Sequence, residues 1–112
     1  MNEFEKEIEA RLAANGNNEA FHKVAYDFMI SSIMPKYSYN FAWMGRPIIQ
    51  LPQDIVAMQE LIWKVKPDLI IETGIAHGGS LIFSASMLAL VDYCEALEND
   101  EMLDLQNPKR RV

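Results

Sequence analysis

The chain has 112 residues, half of them apolar, with a formal net charge of -6 and a pI near 4.8. That length holds at most one small globular domain, and the acidic balance excludes a surface built for nucleic acid or anionic lipid, which needs a dominant cationic field. A single cysteine, Cys94, excludes an intrachain disulfide and any multi-cysteine metal site; this usage suits a reducing compartment and reads Cys94 as a small buried filler.

The N-terminal MNEFEKEIEARLA is acidic and lacks the apolar core of a signal peptide. The greasiest stretch, LIFSASMLALV at 81–91, falls short of the roughly 20 residues that cross a bilayer. The expectation is a cytoplasmic protein with no membrane span. Residues 3–14 space Phe4, Ile8 and Leu12 four apart between charges, the stripe of an exposed amphipathic helix that docks loosely or mediates association. Residues 15–18 form a turn cluster, and Asn18 caps a second helix in which Phe21, Val24, Ala25, Phe28 and Met29 share a face. Pro35 stops it. Residues 36–52 carry aromatics without a clean period, and Gly45, Pro47 and Pro52 predict a loop-like segment whose aromatics serve the core, a subunit contact or a ligand platform.

A third helix is predicted from Gln53 or Asp54, with Ile55, Met58, Leu61, Ile62 and Val65 on one face and Pro67 as its limit. Leu69, Ile70 and Ile71 then make a continuous apolar run without alternation, which predicts a strand over about 68–72 buried on both faces of a parallel sheet. Gly74 to Gly79 turns the chain. From residue 80 to about 97 a helix is expected, apolar almost all round through Val91 and becoming polar at Asp92, Glu95 and Glu98. The end, ENDEMLDLQNPKRRV, is charged and turn-rich.

A strand, a glycine turn and a helix make the unit that opens nucleotide-binding α/β folds. A P-loop needs a lysine after the glycines, whereas Gly79 is followed by Ser80 and Leu81. A dinucleotide fingerprint wants G-x-G-x-x-G, whereas these glycines stand at Gly74, Gly78 and Gly79, which also disfavours an NAD(P)-binding reading. Glu72 lies at the strand's C-terminal end, where an acid repels a pyrophosphate but attracts a sulfonium or an amino group. E-x-G-x-x-x-G-G-S therefore points to S-adenosylmethionine. The plainer alternative is that Glu72 is solvated or capped and that the glycines serve close packing of helix on strand. His77 and His22 have no second metal ligand or nucleophile beside them in the sequence and are read as non-catalytic.

DLIIETGIAHGGSLIF, with the upstream GRPIIQLPQDIVAMQELIWKVKP, resembles the cephalosporin hydroxylase and rhamnosyl O-methyltransferase family of class I methyltransferases over residues 45–97 or so. The resemblance implies an α/β, Rossmann-like fold that binds S-adenosylmethionine and transfers methyl to a hydroxyl, often of a sugar or glycolipid. It implies that Glu72 and Gly74 form the first cofactor motif, and that Gly78, Gly79 and Ser80 shape the turn and the helix start. Ser80 would then give the cofactor carboxylate a hydroxyl and a backbone donor. Gln50 and Asp54 become candidates to line the pocket, beside plainer readings as an exposed loop residue and a helix cap.

On this reading residues 1–44 are a helical lead-in and residues 45–112 begin the cofactor domain, stopping before a second strand at Lys109–Val112. The fold class expected is the N-terminal fragment of a Rossmann-like methyltransferase, mostly helical with one clear central strand. The ribose-binding acid and the ligands for a divalent metal would lie in a missing part, and no complete active site is expected. Partners expected are the small-molecule cofactor and either a second copy or a complementary C-terminal fragment, with no nucleic acid. The competing readings are a non-catalytic helical interaction module that self-associates, and a complete small helical protein whose residues 69–72 pair across a dimer.

Overall fold

A computed structural model describes residues 1–112. It is mostly helical, with four α-helices and one two-stranded antiparallel sheet, and it divides into two compact units, residues 1–36 and 37–112.

The first unit contains α1 (Glu3–Gly16) and α2 (Glu19–Ile33). A capping box starts α1: Glu5 N donates to Asn2 Oδ1 at 2.9 Å, and Asn2 N donates to Glu5 Oε2 at 2.7 Å. Asn18 caps α2 as expected, its Oδ1 accepting from Phe21 N at 3.1 Å. Neither helix buries a single residue.

The second unit corrects the loop expected at 36–52. Its strands β1 (Phe41–Trp43) and β2 (Arg46–Ile48) form an antiparallel hairpin in the register Phe41 with Ile48, Ala42 with Pro47, and Trp43 with Arg46. The turn residues Met44 and Gly45 both have positive φ, 47° and 80°, as the two-residue type I′ turn requires. Helix α3 (Pro52–Val65) opens with proline at its first position and ends at Lys66, whose left-handed φ of 47° and N–H to the Ile62 carbonyl, 2.8 Å, close the last turn.

Helix α4 (Gly79–Glu98) is the centre of the core. Its Phe83, Met87, Leu88 and Val91 pack with Ile48 of β2 and Ile62 of α3, and Phe41, Trp43, Ile55 and Ile70 close around them. The Trp43 ring meets Phe83 edge-on at 4.9 Å, and its Nε1 donates to Ser86 Oγ at 3.1 Å, so the indole satisfies its polar atom while burying its face. With 20 residues α4 is long and apolar enough to cross a membrane by length and composition, beyond the 81–91 stretch read from sequence. Here it serves as a core helix.

The strand expected at 68–72 is reduced to one isolated parallel bridge between Leu69 and Arg111. Ile70 N donates to Arg111 O and Arg111 N to Asp68 O, each at 3.0 Å. Leu69 and Ile71 are 58% and 81% exposed, so the expected burial on both faces is not realised. The ladder is short because only the Arg111 segment lies alongside.

Asp92 also departs from expectation. Instead of turning α4 polar it is buried at 4% exposure, where it meets Arg110.

Candidate functional site

The loop from Glu72 to Ser80 leaves the C-terminal end of the bridged segment and enters α4. Three of its residues alternate into the left-handed region: Gly74 (φ 76°), Ala76 (φ 42°) and Gly78 (φ 81°). Glycine takes this conformation without penalty, whereas Ala76 is strained by it. Gly78 N donates to Ile75 O at 2.6 Å, which tightens the turn, and Gly78 is the N-cap of α4.

The predicted site residues divide into two kinds. Glu72 and Ser80, both half-buried, are brought together: Ser80 Oγ donates to Glu72 Oε1 in a short hydrogen bond across the loop. The hydroxyl therefore engages the carboxylate of its own chain. Gly74 is exposed with open space where a Cβ would stand, which leaves the backbone approachable. Gly79 has the opposite character. A Cβ there would lie 2.7 Å from the Pro47 carbonyl carbon and 2.8 Å from Ile48 Cα, so this glycine lets α4 pack on the main chain of β2.

Gln50 follows that contact by two residues. It is half-buried, and its Oε1 is buried with no hydrogen-bond partner, in contrast to an exposed loop residue. Asp54 is exposed in the first turn of α3, where its charge complements the helix N-terminus. His77 and His22 are exposed, and no group of three His, Cys, Asp or Glu side chains is arranged to hold a metal ion.

At the start of α4, the first intrahelical bond is Ile82 N to Gly78 O at 3.0 Å, so the N–H groups of Gly79, Ser80 and Leu81 have no intrahelical acceptor. Beside them an open cleft of about 300 Å³ is lined by Arg46, Ile75, His77, Gly78, Leu81 and Ile82. Arg46 was not singled out in the sequence. Its Cδ and Nη1 lie 3.9 Å from where a Gly78 Cβ would stand, a placement created by the hairpin. A separate cleft of about 230 Å³ between α3 and α4 is lined by Trp63, Met87, Leu90 and the half-buried Cys94, among others.

Behind the loop, Arg110 is clamped to α4. Its guanidinium contacts Asp92 Oδ1 through Nη1, donates to Glu95 Oε1 through Nη2 at 3.0 Å, and approaches Glu95 Oε2 at 2.9 Å. Its side chain is only 8% exposed, and its Nε has no partner. The contact with Arg110 is the leading cause that holds the Glu95 carboxyl below its ordinary pKa, and the same contact raises the guanidinium above its own. This clamp fixes the segment whose next residue, Arg111, bridges Leu69.

The fold thus offers a parallel bridge joined through a helix, with a glycine loop and a paired acid at its C-terminal end. The family model for rhamnosyl O-methyltransferase/CmcI matches residues 35–112, and the chain belongs to that family. Methyltransferase is the class of enzyme that this membership denotes. No curated protein and no solved structure matches the chain.

Proposed function

We propose that residues 69–112 are the opening strand, helix and strand of a Rossmann-like domain that binds S-adenosylmethionine, and that the chemistry served is methyl transfer to a hydroxyl of a sugar or glycolipid. The observation that carries this reading is the parallel bridge of Leu69 to Arg111 across α4, with Glu72 and Ser80 joined at its C-terminal end. In open α/β sheets, ligands collect outside the carboxyl ends of the strands. The hairpin and α3 would complete the near wall of the domain, with α1 and α2 as the helical lead-in.

The residues present fit the cofactor. Gly74 leaves open space beside its backbone, and the orphaned Gln50 Oε1 is an acceptor awaiting a donor. The strained φ of Ala76 lies in the same loop, the kind of outlier that collects at ligand sites. Bound S-adenosylmethionine would supply an electrophilic methyl group. Glu72 would attract the positive charge of the cofactor, while the Ser80 hydroxyl holds that carboxylate in place. The free N–H groups of Gly79, Ser80 and Leu81 would receive the carboxylate of the cofactor.

The free edge of the Leu69–Ile71 segment supports the same reading. Only Asp68 O and Ile70 N bond to Arg111, so Leu69 and Ile71 present their main chain to the other side, where a parallel sheet takes its next strand.

Calorimetric titration of the chain with S-adenosylhomocysteine tests the proposal, alongside a Glu72→Ala variant of equal helical content. Saturable binding that is lost in the variant is expected. A folded wild-type chain that takes up no ligand, or a variant that binds equally well, overturns it.

A further inference from the structure

Arg46 is a cation that the chain itself leaves without a counter-charge. Lys6, Arg11, Lys23, Lys66, Lys109 and Arg110 each meet a carboxylate. Arg46 forms no ion pair and no side-chain hydrogen bond, in a sequence where acids outnumber lysine and arginine by 16 to 10.

Its place is nevertheless fixed. Arg46 pairs with Trp43 across the hairpin, and Trp43 is anchored on α4 through the Phe83 ring and the Ser86 hydroxyl. The next residue, Pro47, lies so close to Gly79 that no Cβ fits between them. Contacts on both sides therefore hold the Arg46 main chain to the start of α4, the rigid support that a positioned charge needs. Its side chain runs along the glycine loop, with Cδ and Nη1 each 3.9 Å from where a Gly78 Cβ would stand.

The cleft that Arg46 enters has apolar walls in Ile75, Leu81 and Ile82, and no acid lines it. The loop's own acid, Glu72, is not among the lining residues and is engaged by the Ser80 hydroxyl. An arginine fork in an acid-free, partly apolar cleft suits a ligand that carries one carboxylate.

Resting on the reading that this loop binds S-adenosylmethionine, we infer that Arg46 is a further cofactor-binding residue. Its guanidinium pairs with the carboxylate at the amino-acid end of the cofactor, beside the N–H groups of Gly79, Ser80 and Leu81. Glu72 and Arg46 then divide the charges of the cofactor between them, the acid taking the positive ones and the arginine the negative one.

Titration calorimetry of the full chain with two nucleosides separates this role from the cofactor reading itself. S-adenosylhomocysteine carries the carboxylate, whereas methylthioadenosine keeps the adenosine and the thioether but lacks the amino-acid end. Arg46→Met is expected to weaken S-adenosylhomocysteine by about tenfold or more and to leave methylthioadenosine within about twofold of wild type. Retained methylthioadenosine affinity also shows that the variant keeps its fold. Unchanged S-adenosylhomocysteine affinity in Arg46→Met, or an equal loss for both nucleosides, overturns the role of Arg46 and leaves the cofactor reading standing. A folded wild-type chain that binds neither nucleoside overturns both.

Discussion

Gly79 and Pro47 meet backbone to backbone, so closely that a Cβ on Gly79 would stand 2.7 Å from the Pro47 carbonyl carbon. Neither main chain can yield, because Pro47 sits in the hairpin ladder and Gly79 in the first turn of α4. Gly79→Ala is therefore expected to destabilise the protein by about 3 kcal/mol, at the upper end of overpacking costs. Gly74→Ala meets open space and bears only the strain of a left-handed alanine, about 1–2 kcal/mol. Urea denaturation of the two variants should rank them in that order; the reverse ranking would mean that the hairpin does not seat on α4.

The bond from Ser80 to Glu72 separates a binding role from a structural one. Ser80→Ala removes one hydroxyl from a half-buried position and is expected to change stability by no more than about 1 kcal/mol. If Glu72 receives the cofactor, the freed carboxylate should weaken S-adenosylhomocysteine binding by roughly fivefold, the equivalent of about 1 kcal/mol. Ser80→Thr, which keeps the hydroxyl, should bind within about twofold of wild type if its hydrogen bond persists. Titration calorimetry on both variants distinguishes the outcomes, and equal affinity in Ser80→Ala would remove Glu72 from the recognition of the ligand.

Arg110 and Asp92 form a buried pair with side-chain exposures of 8% and 3%. Removing one partner strands the other charge, so Arg110→Met alone is expected to cost about 3–5 kcal/mol. Replacing both, as Asp92→Leu with Arg110→Met, should recover much of that loss, since two apolar side chains fill the site, the remainder reflecting the half-buried Glu95 left without its Arg110 contacts. A double-mutant cycle in urea reads the coupling directly. Additive losses would show that the two charges are not in contact in solution.

Much of the helical architecture could be read from local signals, because caps and apolar spacing act within a few residues. Asn18 caps α2, and Lys66 ends α3 just before Pro67. The hairpin was illegible for physical reasons. Its strands are three residues long, its ladder contains Pro47, and its turn is Met44-Gly45 in place of the usual Asn-Gly. In the loop, the meeting of Glu72 with Ser80 follows from their short separation across one turn. The packing role of Gly79 depends on Pro47, far away in sequence, and so could not be seen from the glycines alone. The burial of Asp92 likewise depends on Arg110 folding back along α4, although a carboxylate placed four residues after Leu88 on an apolar face was a signal for a buried partner.

The same turn offers a stabilising change. Met44 holds φ at 47°, a conformation that a side chain with a long apolar stem adopts at a cost and that asparagine tolerates. Met44 is also 78% exposed, and its Sδ receives only a weak contact at 3.4 Å from Ser86 Oγ, whose hydroxyl also reaches Ile82 O at 2.7 Å. Met44→Asn is therefore expected to stabilise the protein by about 1 kcal/mol, giving a melting temperature higher by roughly 4–8 °C for a domain of this size. An unchanged or lower melting temperature would argue against the type I′ turn.

Glu95 makes the clamp on the C-terminal segment sensitive to acid. Its hydrogen bond from Arg110 leads the causes of its lowered pKa, with smaller attractions from Lys66, 3.7 Å away, and from Lys109. Because the folded pKa lies below the unfolded one, the stability that Glu95 contributes is complete above the ordinary carboxylate value of about 4.3. It is lost as pH falls through the folded value. Urea midpoints of wild type and Glu95→Gln, measured from pH 7 down to pH 3, should therefore differ at neutral pH and converge in acid. The comparison isolates this group from Asp92 and Glu101, which both proteins share. A difference that does not narrow at all as pH falls would mean that Glu95 acts through packing, and that the charge of Arg110 is balanced by Asp92 alone.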